Sequence, residues 1–228
     1  MPRQAPAEPE GEAGPPESTR AEPRWPALLA VLAIGGLYLA LPQSLSVGPG
    51  WLLLVIVVAV SVAAYITQHG ERHTASRILG HFLSAIITAF MLVSIALLLH
   101  ALFAHSESPA ALLRAGAALW VTNLLVFASW YWRLDAGGPH RRSQRFRHTS
   151  GAFLFPQMTL GRDGDQPDHR PWSPRFIDYL FLAFTTSTAF SPTDTPVLSG
   201  WAKALMMLQA SISLLVTVLL IARAVNII

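Results

Sequence analysis

Long apolar runs separated by shorter polar segments dominate this sequence. Five of the runs are each long enough for a helix that crosses the roughly 30 Å hydrocarbon core of a bilayer. They cover residues 25–41, 51–67, 82–104, 110–132 and 201–221. Tryptophan residues stand at several run ends, where amphipathic rings favour the headgroup region. The pattern therefore predicts an all-α membrane protein with five transmembrane helices.

The composition agrees with this prediction and narrows the possible functions. Hydrophobic residues make up 52% of the 228-residue chain and charged residues only 13%, whereas an ordinary globular domain carries about 25% charged residues. Cysteine is absent, which excludes disulfides, a thiolate nucleophile and a cysteine metal site. Paired carboxylates, a Gly-rich phosphate loop and a Ser-His-Asp arrangement are not evident. We therefore expect no enzyme, no metal site and no cofactor other than bound monovalent ions.

The polar segments divide the chain into a tail and two membrane regions. Residues 1–24 are rich in Pro, Glu and Ala, which is typical of a disordered tail. A three-helix N-terminal region follows at 25–109, and within it a polar patch at 68–81 precedes the third run. The remaining residues, 110–228, are predicted to form an outer helix at 110–132, a long Arg-rich loop at 133–173, a short helix at 174–186, a loop at 187–194 and an inner helix at 201–225.

The short helix is the most informative segment. Ser173 and Pro174 predict its start, because a hydroxyl can accept hydrogen bonds from free amides and proline loses no bond at the first helical position. The helix up to Thr186 would be roughly 20 Å long, which is too short to cross a membrane. Irregular backbone at membrane depth requires surrounding protein or water. We therefore expect a re-entrant hairpin, with a buried or interfacial helix without conduction as the alternative.

The residues after this helix carry a resemblance to a known family. The segment at 187–191, Ser-Thr-Ala-Phe-Ser, keeps the hydroxyl, the β-branched residue and the aromatic ring of the pattern Thr-Val-Gly-Tyr-Gly but replaces both glycines. Asp, Pro and Gly residues follow at 194–200 before the inner helix. This region resembles the pore module of the potassium-channel superfamily, with outer helix, pore helix, filter and inner helix. The whole chain is also similar to a group of bacterial multi-pass membrane proteins.

The resemblance implies a homotetramer around a central passage, because one hairpin of this kind cannot enclose a pore. It also implies a set of filter-like residues and a pore mouth at Asp194, where four carboxylates would form an acidic ring. An ordinary turn is the alternative for Asp194. The filter-like residues are Thr185, Thr186, Ser187, Thr188, Ala189, Phe190 and Ser191.

The missing glycines predict weak or altered ion selectivity. A filter built from backbone carbonyls needs positive φ angles, which cost a residue with a Cβ about 1–2 kcal/mol. Ala189 and Ser191 would bear that cost, and Pro192 drives Ser191 toward extended conformations. Side-chain hydroxyls are then better candidates for contacting ions than a carbonyl ladder.

Polar residues inside the other runs leave further alternatives open. Gln209, Ser213 and Thr217 share one face of the last helix, where they could line a wet cavity or bond neighbouring helices. Asn123 suits a helix–helix hydrogen bond better than a substrate site, and His100 suits an interfacial position better than a proton relay. The remaining candidates are His69 and His73, which favour a solvated cluster over a metal pair, and Asp178, which favours pairing with Arg175 or the helix start.

The distribution of charge predicts the orientation. All but two of the 16 Lys and Arg residues lie in the tail, in the patch at 68–81 or in 133–203. These segments share one side of the predicted topology, which leaves Arg114 and Arg223 on the other. The positive-inside rule makes the N-terminus and the filter-bearing loop cytoplasmic. Potassium channels place their filter outside, so the hairpin is predicted to be inverted; the alternative is that the charge rule fails here.

The leading hypothesis is a potassium-channel-like pore of the bacterial cytoplasmic membrane that conducts small monovalent cations. Its expected partners are copies of itself and lipids. Nucleic acid is not expected, because the arginines flank apolar segments and form no single basic face. The alternatives are a non-conducting scaffold or regulatory protein, an anion pore, and a proton-coupled transporter that uses His100 and Asn123, although matching halves are not evident.

Overall fold

The computed structural model describes residues 22–69, 73–104, 106–143, 151–159, 172–189 and 194–225. Regular secondary structure in these ranges is helical, apart from an isolated antiparallel bridge between Phe153 and Val197. The helices are α1 (Trp25–Leu39), α2 (Trp51–His69), α3 (His73–Ala104), α4 (Pro109–Leu134), α5 (Pro139–Ser143), α6 (Pro156–Thr159), α7 (Phe176–Thr188) and α8 (Gly200–Val225). Short 3-10 turns lie at Gln43–Leu45 and Asp135–Gly137.

The fold is all-helical, and its longest helices are compatible with a membrane location. Among the described residues, three helical segments are long and apolar enough to cross a membrane: Thr74–Ala104, Pro109–Gly137 and Gly200–Val225. The other two apolar runs form shorter apolar helical segments, Trp25–Leu39 in α1 and Trp51–Thr67 in α2. The first of these has 15 residues and spans about 22 Å.

One predicted helix start was wrong, and another helix extends beyond its apolar run. Helix α3 begins at His73 and therefore includes most of the polar patch at 68–81. Polar residues are tolerated there because Arg77 is exposed, while Gly80 allows the α4 residue Arg133 to approach. The short helix α7 starts at Phe176, not Pro174, and ends two positions later than predicted. It nevertheless has the predicted 13 residues, about 20 Å.

The start of α7 is set by a carboxylate. Asp178 accepts a hydrogen bond from the backbone N–H of Arg175, with the oxygen 2.6 Å from the nitrogen. This contact satisfies one of the amides left free at a helix start, and a carboxylate is favoured there by the helix dipole. Asp178 therefore caps the start of the helix, which is one of the two structural roles predicted for it. Ser173 lies before the first turn.

Helix α4 lies at the centre of the bundle and packs against α1, α3, α7 and α8. It runs antiparallel to α8, because Gly116 early in α4 contacts Leu220 and the later Asn123 contacts Ser213. A Cβ at Gly116 would lie 2.8 Å from a methyl carbon of Leu220, so the small residue lets the two helices approach. We call the end where α4 finishes at Leu134 the basic end and the end where it starts the far end.

Candidate functional site

Helix α7 lies beside α4 along only part of its length. Near its start, the Tyr179 hydroxyl donates a hydrogen bond of 2.6 Å to a carboxylate oxygen of Asp135, directly after α4. Toward its end, the ring of Phe184 packs against Trp120 with centroids 6.4 Å apart. Trp120 lies near the middle of α4. Helix α7 therefore enters the bundle from the basic end and stops about halfway along α4.

The chain that leaves α7 comes back to the same end. Val197 forms the bridge with Phe153, and two backbone bonds flank it, from Leu154 N–H to Pro196 O at 2.9 Å and from Leu198 N–H to Ala152 O at 2.8 Å. Helix α8 begins shortly afterwards. The entry into α7 and the exit toward α8 thus lie at one end of the bundle.

One side chain on α8 joins the three helices of this region. The amide nitrogen of Gln209 donates to the carbonyl oxygen of Ala183 at 2.7 Å and to the hydroxyl oxygen of Ser187 at 2.8 Å, both on α7. Its amide oxygen accepts a bond of 2.6 Å from the hydroxyl of Tyr131 on α4. Gln209 is 0% exposed. We call these four residues the Gln209 junction.

A second polar contact lies one turn further along α8. The amide nitrogen of Asn123 donates to the hydroxyl oxygen of Ser213 at 2.7 Å and to the backbone oxygen of Gln209 at 3.3 Å. Asn123 and Ser213 are fully buried. Asn123 thus makes the helix–helix hydrogen bonds that the sequence favoured over a substrate site.

These contacts bear on the residues expected to line a cavity. Because Gln209 and Ser213 are enclosed by α4 and α7 within one chain, they bond helices to one another, which is the second of the two predicted alternatives. Thr217 is only half-buried. The exposed face of α8 carries Met207 and Ser211, and the exposed residues that follow them are apolar.

The filter-like residues are divided between buried and accessible positions. Thr186 and Ser187 are buried, Thr185 is half-buried, and Thr188 and Ala189 are exposed. Each threonine hydroxyl donates to a carbonyl of the preceding turn, as in the 2.9 Å bond from Thr188 to Phe184, so its oxygen keeps acceptor capacity. Phe190 and Ser191 lie outside the described residues.

The backbone at Ala189 does not follow a carbonyl-lined filter. Its φ of −93° and ψ of −5° are helical, and its N–H donates to Thr185 O at 2.9 Å. The first missing glycine is therefore replaced by a residue in an ordinary conformation. The cost of a positive φ expected for Ala189 does not arise, because the backbone avoids that region.

Asp194 is exposed and lies shortly before Val197, which pairs with Phe153 at the basic end. No described contact joins its carboxylate to Thr185 or Thr188. Asp194 thus lies in the segment that leads into this bridge.

A buried charged cluster that the sequence did not reveal lies beside the start of α7. Asp135 is 0% exposed, and its carboxylate accepts the Tyr179 bond and a 2.6 Å bond from the backbone N–H of Ala152. Arg142 lies over the Tyr179 ring at 5.1 Å and forms a 3.0 Å ion pair with Glu22. The sequence placed Asp135 and Arg142 in a long polar loop. A carboxylate directly after an apolar run was the available signal.

Aromatic packing closes the same region. The ring of Phe153 is 0% exposed and lies 5.3 Å from Tyr131, 6.2 Å from Tyr179 and 6.1 Å from Trp201, measured between centroids. The long loop predicted at 133–173 therefore sends an apolar segment into the core. Phe153 connects α4, α7 and α8 at the basic end.

The remaining candidates stand apart from this region. His100 is exposed on α3, and Arg223 donates a 3.3 Å bond to Leu102 O near the far end. His69 and His73 lie at helix ends, and their side chains are outside the described part of the structure. Within the described residues, no group of three or more His, Cys, Asp or Glu could hold a metal ion.

Comparison with known proteins adds no relative. No protein-family model, curated protein or solved structure matches the chain.

Proposed function

We propose that this chain is a subunit of an oligomeric membrane pore that resembles a potassium-channel pore module and passes small monovalent cations with weak selectivity. One observation carries the proposal: α7 enters beside α4, stops next to Trp120, and the chain returns to Val197 at the same end. A re-entrant hairpin needs such a path. The surrounding helices supply the protein environment that irregular backbone requires at membrane depth.

The exposed end of α7 supports an assembly of several copies. The last carbonyl groups of a helix lack partners within it, and hydrocarbon cannot supply them. Thr188 and Ala189 are exposed at this end in the single chain. Neighbouring copies, with water between them, would satisfy these groups. We therefore propose a homotetramer with four α7 ends facing a central axis.

The polarity of that end favours cations. The C-terminal end of a helix carries partial negative charge, and four such ends would converge on the axis. The hydroxyl oxygens of Thr185 and Thr188 add acceptors for a partly dehydrated ion. Because Ala189 keeps a helical backbone, these hydroxyls take the place of a carbonyl ladder, which supports weak selectivity. Bound monovalent ions are the only cofactor in this proposal.

Apolar side chains would line the rest of the passage. The exposed face of α7 carries Ile177, Phe181 and Phe184, and that of α8 carries Met207 and Leu214. Apolar constrictions close pores by excluding water. The proposed passage would therefore be poorly hydrated and would conduct slowly.

The proposed topology has five crossings, with the basic end in the cytoplasm of a bacterial cell. The short helices α1 and α2 would then cross as a hairpin, and the 15-residue α1 needs a locally thin bilayer. Arg24, Arg77, Arg133 and Arg141 lie together at the basic end, which agrees with the positive-inside rule. The hairpin would then open to the cytoplasm, inverted relative to potassium channels.

A second candidate is a non-conducting scaffold or regulatory membrane protein with the same fold. It is favoured by the burial of Gln209 and Ser213, which leaves an apolar face on α8 where a wet cavity would need polar groups. The helical backbone of Ala189 also favours it. In this case the exposed faces of α7 and α8 would bind another membrane protein.

Ion flux into liposomes separates the two candidates. Purified protein should release a trapped potassium or sodium gradient, and Thr188→Trp should abolish the leak by filling the converging end of α7. Ala96→Trp adds the same bulk at an exposed position on α3 and should leave the leak unchanged. Silence for all cations would favour the scaffold. A leak of chloride alone would instead assign an anion pore.

Orientation has its own test, because the native chain contains no cysteine. Asp194→Cys and Ser106→Cys place single thiols at exposed positions at the two ends of the bundle. An impermeant thiol reagent added to intact cells should label Ser106→Cys and not Asp194→Cys. The opposite result would overturn the inverted orientation without deciding conduction.

A further inference from the structure

A cavity of about 340 Å³ opens at the basic end, and its described lining includes no residue of α7. The first turns of α1 and α3 and the last turns of α2 and α4 form its walls. Its deeper wall is apolar and includes Ala27, Val31, Val60 and Ala64. The cavity thus joins a polar opening to membrane-facing helices.

The opening is lined by positive charge. Four arginine side chains from different parts of the chain line it, and His81 and His140 add imidazole rings. No described residue that lines the cavity is acidic. The carboxylate of Glu22, at the same end, is already bonded to Arg142 and to the indole N–H of Trp132. The four arginines are Arg24, Arg77, Arg133 and Arg141.

Arg133 is held in place without a polar partner for its Nε. Its guanidinium lies against Gly80, where an added Cβ would stand 2.1 Å from one terminal nitrogen. Its carbon also lies 5.5 Å from the centre of the Trp132 ring. The buried Nε makes no hydrogen bond. A buried cation with an unpaired donor is costly, and an anion that contacts this guanidinium from the cavity would offset part of that cost.

We propose that this cavity binds the phosphate group of an anionic phospholipid. Phosphate oxygens match the planar donor arrangement of arginine and take two hydrogen bonds from one guanidinium. The apolar wall formed by α1 and α2 would contact the acyl chains. Basic pockets between transmembrane helices on the cytoplasmic side suit anionic headgroups. The site does not depend on whether the protein conducts ions.

The test uses native mass spectrometry of the purified full-length protein in detergent. Wild-type protein should retain phosphatidylglycerol in preference to phosphatidylcholine. Arg77→Gln, which changes an exposed residue at the opening, should reduce retention about tenfold, and the double change with Arg133→Gln should reduce it further. The control Arg114→Gln removes an exposed arginine from the far end and should have no effect.

A second arm identifies the source of the phosphate. Millimolar inorganic phosphate that raises Tm in wild-type protein, but not in Arg77→Gln, with no retained lipid, would support a free phosphate ligand. Retained lipid that inorganic phosphate does not displace would support the lipid. Folding of each variant is checked by its Tm.

Three results would overturn the proposal. The first is equal lipid retention in wild type, Arg77→Gln and the double variant. The second is phosphatidylcholine held as tightly as phosphatidylglycerol. The third is binding of neither lipid nor phosphate until the glutamates of residues 1–21 are changed to glutamine, which would assign the cavity to this chain's own acidic tail.

Discussion

The side-chain amide of Gln209 lies 2.8 Å from the hydroxyl oxygen of Ser187, and this contact fixes the end of α7 against the middle of α8. The same amide group bonds the Ala183 carbonyl and the Tyr131 hydroxyl. One glutamine thus uses both donors and its acceptor to hold three helices. The junction therefore joins the end of α7 to both α4 and α8.

Replacing Gln209 with leucine should destabilise the protein by about 2 kcal/mol. The change leaves the Ser187 hydroxyl, the Ala183 carbonyl and the Tyr131 hydroxyl without this partner in a buried site. We expect a lower Tm in detergent. Ser211→Leu, on the exposed face of the same helix, is the matched control and should leave Tm nearly unchanged. Equal Tm values for both variants would contradict the junction.

Tyr179→Phe should loosen the base of the hairpin. It removes the hydroxyl that donates to the buried carboxylate of Asp135, and a hydrogen bond to a charged group contributes about 1.5–3 kcal/mol. A double-mutant cycle with Asp135→Asn measures the coupling between the two side chains through Tm. Additive effects in the cycle would show that the bond contributes nothing to stability.

Gly138→Ala should lower Tm more than a glycine-to-alanine change at an uncrowded helical position. Gly138 has φ +90°, and a Cβ there would lie 2.9 Å from the backbone oxygen of Arg133. Positive φ alone costs a residue with a Cβ about 1–2 kcal/mol. Gly36→Ala is the control, because no atom lies within 4 Å of its added Cβ. Comparable Tm values for the two variants would refute the strain at this turn.

A polar substitution on the exposed face of α8 tests the proposed apolar lining of the passage. If that face lines the passage, Leu214→Ser should hydrate it and raise cation flux into liposomes. Leu92→Ser, at an exposed position on α3, should leave the flux at the wild-type level. An equal rise in both variants would point to general membrane leakage, and no change in either would place the passage elsewhere.

Some features were predictable because they depend on local pattern. The length of α7 was correct at 13 residues, since apolar spacing and flanking breakers define it. Its start was displaced because Ser173 and Asp178 are both good helix-start residues. Only the contact between Asp178 and the Arg175 N–H selects between them.

Contacts between distant residues could not be predicted from the local sequence pattern. Gln209 and Ser213 share one helix face, and spacing alone left cavity lining and helix bonding open. Helices α4 and α7 pack over that face, so these side chains form hydrogen bonds between helices. Asp135, Arg142 and Glu22 are far apart in the chain, so no local spacing joins them.

The amino-acid sequence by itself determined an all-helical chain rich in membrane-length apolar segments, with charge concentrated at one end, because hydrophobicity and helix length are local properties. The tertiary structure alone decided which polar side chains are buried, where α7 stops and where the arginines enclose a cavity. Those outcomes depend on contacts between distant residues, such as Tyr131 with Gln209, whose geometry exists only after the helices pack.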